Sequence, residues 1–134
     1  MSELHIPHLN RVLVAGRLTQ DPEFRMTESG KVRTTMRLAN NRNYRDSQGE
    51  WQQDTTFLTV TAWGRMAEAA AEHLSKGSAV LVEGRLRSRT IETSEGNRSW
   101  LEIVASYIQF LSRKEGTEGS EEMEEEQENK VVLV

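Results

Sequence analysis

Cysteine is absent from this chain, which excludes disulfide staples, thiolate zinc sites and cysteine nucleophiles. No apolar run approaches the roughly 20 residues of a membrane-spanning helix. Met1 to Pro7 shows neither a basic n-region nor an apolar h-region, so a secretory signal is not expected and the cytoplasm is the expected location. No glycine-rich loop of phosphate-cradling spacing occurs, nor a Ser/His/Asp set, and Asp21 and Glu23 are better explained by a turn at Pro22. His5, His8 and His73 stand alone in the sequence, whereas a metal site needs converging ligands and a supporting shell. Neither catalysis nor a metal or other cofactor is expected.

Apolar residues are also scarce: 36% of 134 is low for a chain packed to both ends, so part of it contributes nothing to a core. Charge locates that part. Residues 115–134 hold eight Glu against one Lys, a net of −7, while residues 1–114 hold 16 Lys+Arg against 13 Asp+Glu, a net of +3. The overall −4 therefore hides a mildly basic domain carrying a strongly acidic tail, expected to be disordered.

What remains is rich in period-two patterns. Side chains on a strand alternate between faces. In Phe57–Gly64, Leu58, Val60 and Ala62 point into a core, and Phe57, Thr59, Thr61 and Trp63 point away from it. The preceding strand repeats the pattern, with Val32, Thr34, Met36 and Leu38 on one face and Arg33, Thr35 and Arg37 on the other. If the two strands pair, guanidinium groups lie beside aromatic rings on one solvent-facing sheet. Single-stranded nucleic acid suits such a face, because its phosphates seek cations and its unstacked bases seek flat apolar surfaces. The competing reading is a subunit interface or second sheet covering the rings. Arg85, Arg87 and Arg89 share a face of a later strand; they suit phosphate contact, or else a solvated edge that resists aggregation.

Along the chain, residues 10–18 read as a strand, with Gly16 marking a bulge or bend. Turns are expected at Asp21-Pro22 and Ser29-Gly30, then a strand over 31–39. The polar residues 40–54 read as a long projecting loop carrying Tyr44 and Trp51, followed by a strand over 55–64. Met66, Ala69, Ala70, His73 and Leu74 predict an amphipathic helix over Arg65–Ser75, with Gly77 at its C-terminal cap. A strand over 78–89, a polar loop to Arg98 and a strand over 99–111 complete the domain. Three strands, one helix, then two strands predict an all-β fold, the five-stranded Greek-key barrel called the OB-fold, with its helix between strands three and four. The domain spans 10–111, between a flexible segment at 1–9 and the acidic tail at 112–134.

These residues resemble the bacterial single-stranded DNA-binding protein family. The resemblance is carried by Asn10-Arg11-Val12-Leu13-Val14-Ala15-Gly16-Arg17-Leu18 with Asp21-Pro22-Glu23, by Tyr44-Arg45-Asp46, by Trp63-Gly64-Arg65 with Ala67-Glu68, by Lys76-Gly77-Ser78, and by Val82 through Arg89. It covers roughly residues 10–111. It implies a homotetramer that wraps single-stranded DNA with little sequence preference during replication, recombination and repair, in a cytoplasmic, nucleoid-associated setting. It also implies base stacking on Tyr44, Phe57 and Trp63, with Arg65, Arg87 and Arg89 at backbone-contacting positions. Trp51 has no family counterpart and is an additional stacking candidate. Two departures stand out. A fourth aromatic usual in the family aligns with Ile91, and the alternation of nearby Trp100 does not place it at the same spot. The family's acidic tip, which docks onto replication and repair proteins, usually ends in a proline and an aromatic, whereas this chain ends Val131-Val132-Leu133-Val134. The tail is also expected to compete weakly with DNA for the basic groove. Alternatives are a dimeric replication-restart or RNA-binding OB-fold protein, and an OB-fold nuclease, which would need clustered carboxylates.

Overall fold

The computed structural model of the protein describes residues 3–111. The acidic tail and its tip lie outside the described residues, as do the first two residues of the amino-terminal segment. Residues 3–11 are exposed and form no strand or helix. The elements that follow are β1 (Val12–Leu18), β2 (Glu23–Met26), β3 (Val32–Arg45), β4 (Trp51–Trp63), α1 (Arg65–His73), β5 (Ala79–Thr93) and β6 (Gly96–Phe110).

One sheet runs in the order β1-β5-β6-β4-β3-β2, and a further β1–β3 pairing closes the five long strands into a barrel. The expected OB-fold is therefore present, with its helix between β4 and β5 once the short β2 is counted. β2 lies on the edge of β3. It went unread because all four of its residues are exposed, so burial imposes no alternation on them.

The core is built by the alternation of the long strands. Met36, Leu38, Val60, Ala62, Val80, Val82 and Ile103 point inward and are almost wholly buried. The helix closes one end of the barrel with Ala67, Ala70 and Leu74, and the buried Thr34 hydroxyl donates to the Ala67 carbonyl at 2.7 Å. The helix ends at His73, earlier than expected, because Leu74 is already extended. Gly77 is therefore not its cap; it belongs to the next turn, where its N–H donates to the Leu18 carbonyl at 2.8 Å. His73 is exposed, and Ala67 takes the inward place.

Gly16 sits where β1 passes from β5 to β3. A Cβ there would lie 2.7 Å from the Ala39 carbonyl oxygen, so only a hydrogen fits and the barrel can close.

The largest difference from the sequence reading concerns the two polar stretches. Residues 40–54 are not a long loop: β3 and β4 stay paired from Arg33↔Trp63 out to Arg45↔Trp51. The turn at the tip is held by Asp46, whose Oδ1 accepts from the backbone N–H groups of Gln48 and Glu50, both at 2.9 Å. The Glu50 bond above all holds the Asp46 carboxyl below its ordinary pKa; desolvation opposes it, and the bonds from the Gln48 N–H and the Gln52 amide add to the lowering. The second stretch is likewise a ribbon, with β5 and β6 paired out to Thr93↔Gly96.

Candidate nucleic-acid interface

Residues directly opposite in an antiparallel pair share a face. On β3 and β4 the outward pairs are Arg33↔Trp63, Thr35↔Thr61, Arg37↔Thr59, Ala39↔Phe57 and, at the tip, Arg45↔Trp51. Trp51, Phe57 and Trp63 thus recur every six residues on one face, about 20 Å apart at ~3.3 Å per residue. Each has a guanidinium over its ring. Arg45 lies 5.2 Å from the centroid of Trp51, Arg37 5.7 Å from Phe57 and Arg33 5.8 Å from Trp63. Tyr44 stands opposite Gln52, hence on the other face of the ribbon, where Arg42 lies 4.8 Å from its ring. Tyr44 and Trp51 are therefore ribbon residues rather than loop residues. Their rings stay exposed, as does that of Phe57.

Thr61 departs from its expected place. It is 1% exposed because β6 runs alongside and its hydroxyl donates to the Glu102 carboxylate at 2.8 Å.

The β5–β6 hairpin supplies the opposite wall. Arg87↔Glu102, Arg89↔Trp100 and Ile91↔Arg98 are its outward pairs. Between the two ribbons runs a groove of about 640 Å³ lined by Arg37, Phe57, Thr59, Ile91, Arg98 and Trp100 among others. A smaller recess of about 210 Å³ continues it past Arg33, Thr35, Arg89 and Trp100. A third groove, of about 710 Å³, lies at the start of α1 and brings Trp63 together with Lys31 and Arg65. Gly64, with φ of 67°, turns the chain sharply there between β4 and α1. Arg85 and Arg87 are exposed on β5 but line none of these grooves.

Glu102 lies under the groove, 3% exposed. Its Oε2 accepts from Thr61 and stands 3.8 Å from Arg89 Nη1, while its Oε1 has no partner. Arg89 is thus part of the floor. Arg89→Ala should destabilise the fold by about 1–3 kcal/mol, because a buried carboxylate loses the one cation within 4 Å of it among the described residues. Urea unfolding would check this; an unchanged midpoint would mean that the Glu102 charge is compensated otherwise.

Sequence reasoning missed Arg42, Arg45, Arg98 and Trp100. The first three sit in stretches read as polar loops, and only the continued ladders reveal that Arg42 and Arg45 stand over Tyr44 and Trp51 and that Arg98 lies opposite Ile91. Among the described residues no three His, Asp or Glu side chains gather as a metal site would require. No helix there is long and apolar enough to cross a membrane.

A family model described as the single-strand binding protein family matches residues 9–111. A protein of Chlorobaculum tepidum named single-stranded DNA-binding protein 2 is 45% identical over 120 residues, which cover 87% of this chain and 81% of that one. Among solved structures, a Plasmodium falciparum single-stranded DNA-binding protein in complex with single-stranded DNA superposes with a TM-score of 0.71 at 25% identity. That match covers 81% of this chain and all of the other. A deletion mutant of the Thermus aquaticus single-stranded DNA-binding protein gives a TM-score of 0.70 at 32% identity over 78% of this chain, which spans about half, 51%, of the Thermus chain.

Proposed function

The chain belongs to the single-strand binding protein family, and from that membership and the ribbon face we propose that it binds single-stranded DNA without catalysing a reaction. It coats strands exposed during replication, recombination and repair, in the cytoplasm. The observation that carries this reading is the row of arginine–aromatic pairs at Arg33/Trp63, Arg37/Phe57 and Arg45/Trp51. Every base has a face that can stack on a ring, so such a row is tolerant of sequence. An arginine beside each ring can pair with phosphate or stack in turn. Tyr44, Phe57 and Trp63 stack bases, with Trp51 as a further platform near the tip. Arg33, Arg37, Arg65, Arg85, Arg87 and Arg89 meet the backbone, Arg89 less freely because it stands beside Glu102.

Titrating tryptophan emission with oligo-dT and with duplex of equal length tests the reading. Quenching by the single strand alone is expected; no quenching and equal affinities would remove it. A second measurement concerns charge. Arg87→Ala should weaken binding to all sequences and flatten the slope of log K against log salt by up to ~0.7, the loss of one phosphate contact on a single strand. A wild-type slope would make Arg87 a solvated edge residue.

The assembly is a homotetramer. Support comes from the outward face of β1, β5 and β6, where Leu13, Glu83 and Tyr107 form one cross-strand row and Ala15, Leu81 and Gln109 the next. Leu13 is 63% and Tyr107 53% exposed, and a self-complementary contact between copies would cover both. Light scattering at the mass of four chains is expected, and the mass of two would favour the dimeric alternative. Preference for RNA over DNA of the same sequence would favour the RNA-binding one.

A further inference from the structure

Ile91 stands where the family resemblance calls for a ring, yet the position is not left without one. Arg89↔Trp100 and Ile91↔Arg98 are successive outward pairs of the β5–β6 hairpin. Trp100 and Ile91 are therefore diagonal neighbours on one face, within the reach of an aromatic side chain. Both line the groove between the two ribbons and the recess that continues it. Trp100 is not at the Ile91 position itself, since it lies opposite Arg89, but the register sets it diagonally across on the same face. We infer that Trp100 is a base-stacking platform of the groove, its ring moved from β5 to the facing strand β6.

Three observations support this, and all rest on the single-strand reading above. First, Trp100 faces a groove whose other wall carries Phe57 and Arg37, so a base entering it meets aromatic surface on both ribbons. Second, no guanidinium lies over Trp100 among the described residues, whereas Trp51, Phe57, Trp63 and Tyr44 each hold one. The neighbouring Arg89 stands beside Glu102 instead, so a base reaching Trp100 has no cation to displace from it. Third, the buried Glu102 carboxylate lies in the floor, with Oε1 unpartnered. A carboxylate there repels phosphate at close range. A strand in the groove therefore turns a base inward and keeps its phosphates at the rim, near Arg37 and Arg98.

The experiment is photocrosslinking of the full chain to oligo-dT carrying single 5-iodouracil substitutions, with adducts located by peptide mass spectrometry. An adduct on Trp100 is expected at one or more positions of the iodouracil. Adducts on Phe57 or Trp63 with none on Trp100 would overturn the inference and leave the single-strand reading standing; a chain that binds no single strand would remove both. Trp100→Ala should weaken oligo-dT binding about tenfold, and Trp100→Phe should retain most of the affinity. The exchange variant Ile91→Trp with Trp100→Ile returns the ring to β5 and should recover the affinity lost in Trp100→Ile alone. A purely structural role for Trp100 would not be rescued by a ring on the other strand, so failure of the exchange in a folded variant also counts against the platform.

Discussion

A Phe57→Ala, Trp63→Ala double variant is expected to bind single-stranded DNA about a hundredfold more weakly, with the slope of log K against log salt unchanged. Removing a stacking ring typically costs ~1–3 kcal/mol per base, and ~1.4 kcal/mol is tenfold in affinity. The rings sit six residues apart on β4, roughly 20 Å at strand rise, and each stands beside its own arginine. At that separation the two losses should add. The slope stays because stacking releases no counterions, and Arg33 and Arg37 remain to meet phosphate. Phe57 is 57% exposed, so its removal leaves the core intact. Trp63 is half-buried, and a melting curve must accompany the affinity measurement. Single-strand affinity within twofold of the parent, in a folded double variant, would mean that bases travel by another path.

The aromatic face was legible because β3 and β4 have one side buried wherever they cross the barrel. Met36, Leu38, Val60 and Ala62 must point inward, and a one-residue slip would expose all of them. That constraint gives the face of Arg33, Arg37, Phe57 and Trp63 without any structure, whereas which residue stands opposite which comes from the ladder. It lapses beyond Asn40 and Thr56, where the ribbon leaves the barrel and most residues on both faces are exposed. With no buried face there is no alternation to read, and a paired ribbon looks like a polar loop. Tyr44 and Trp51 were therefore named as candidates but assigned to a loop, and their opposite faces were invisible. The same lapse explains Trp100. Its face depends on the register across the hairpin, and that register is set by the short turn at Ser94 and Glu95, inside a stretch that carries no periodic signal. Thr61 failed for the reverse reason: its outward direction was right, but it is buried by β6, a strand that joins β4 in parallel from far along the chain. Alternation gives the direction of a side chain; what covers it is a matter of topology.

Gly84→Ala is expected to cost the fold about 3 kcal/mol or more, the upper part of what overpacking usually costs. Gly84 sits at the bulge where the β5–β6 register shifts, opposite Ala105 after Glu83 opposite Tyr107. A Cβ built on it would collide with the Val104 carbonyl oxygen and meet the Val104 carbonyl carbon at 2.9 Å and Ile103 Cγ2 at 3.0 Å. The first two are backbone atoms, which cannot swing aside as the end of a side chain can. Relief requires β5 and β6 to part at the bulge, and the buried Val82 and Ile103 flank that point. The obstacle is space rather than conformation, since Gly84 is not among the glycines with positive φ. Against a total stability of ~5–15 kcal/mol, such a loss lowers the melting temperature by on the order of 15 °C in a domain of this size. Gly16→Ala meets one carbonyl oxygen at 2.7 Å and should cost less, so the two variants ought to rank in that order by urea unfolding. Binding should suffer as well, because β5 beyond Gly84 carries Arg85, Arg87, Arg89 and Ile91. Parting the strands would move one wall of the groove away from Phe57 and Arg37. A Gly84→Ala protein with the parent's unfolding midpoint would show that the two strands have room which the close approach to Val104 denies.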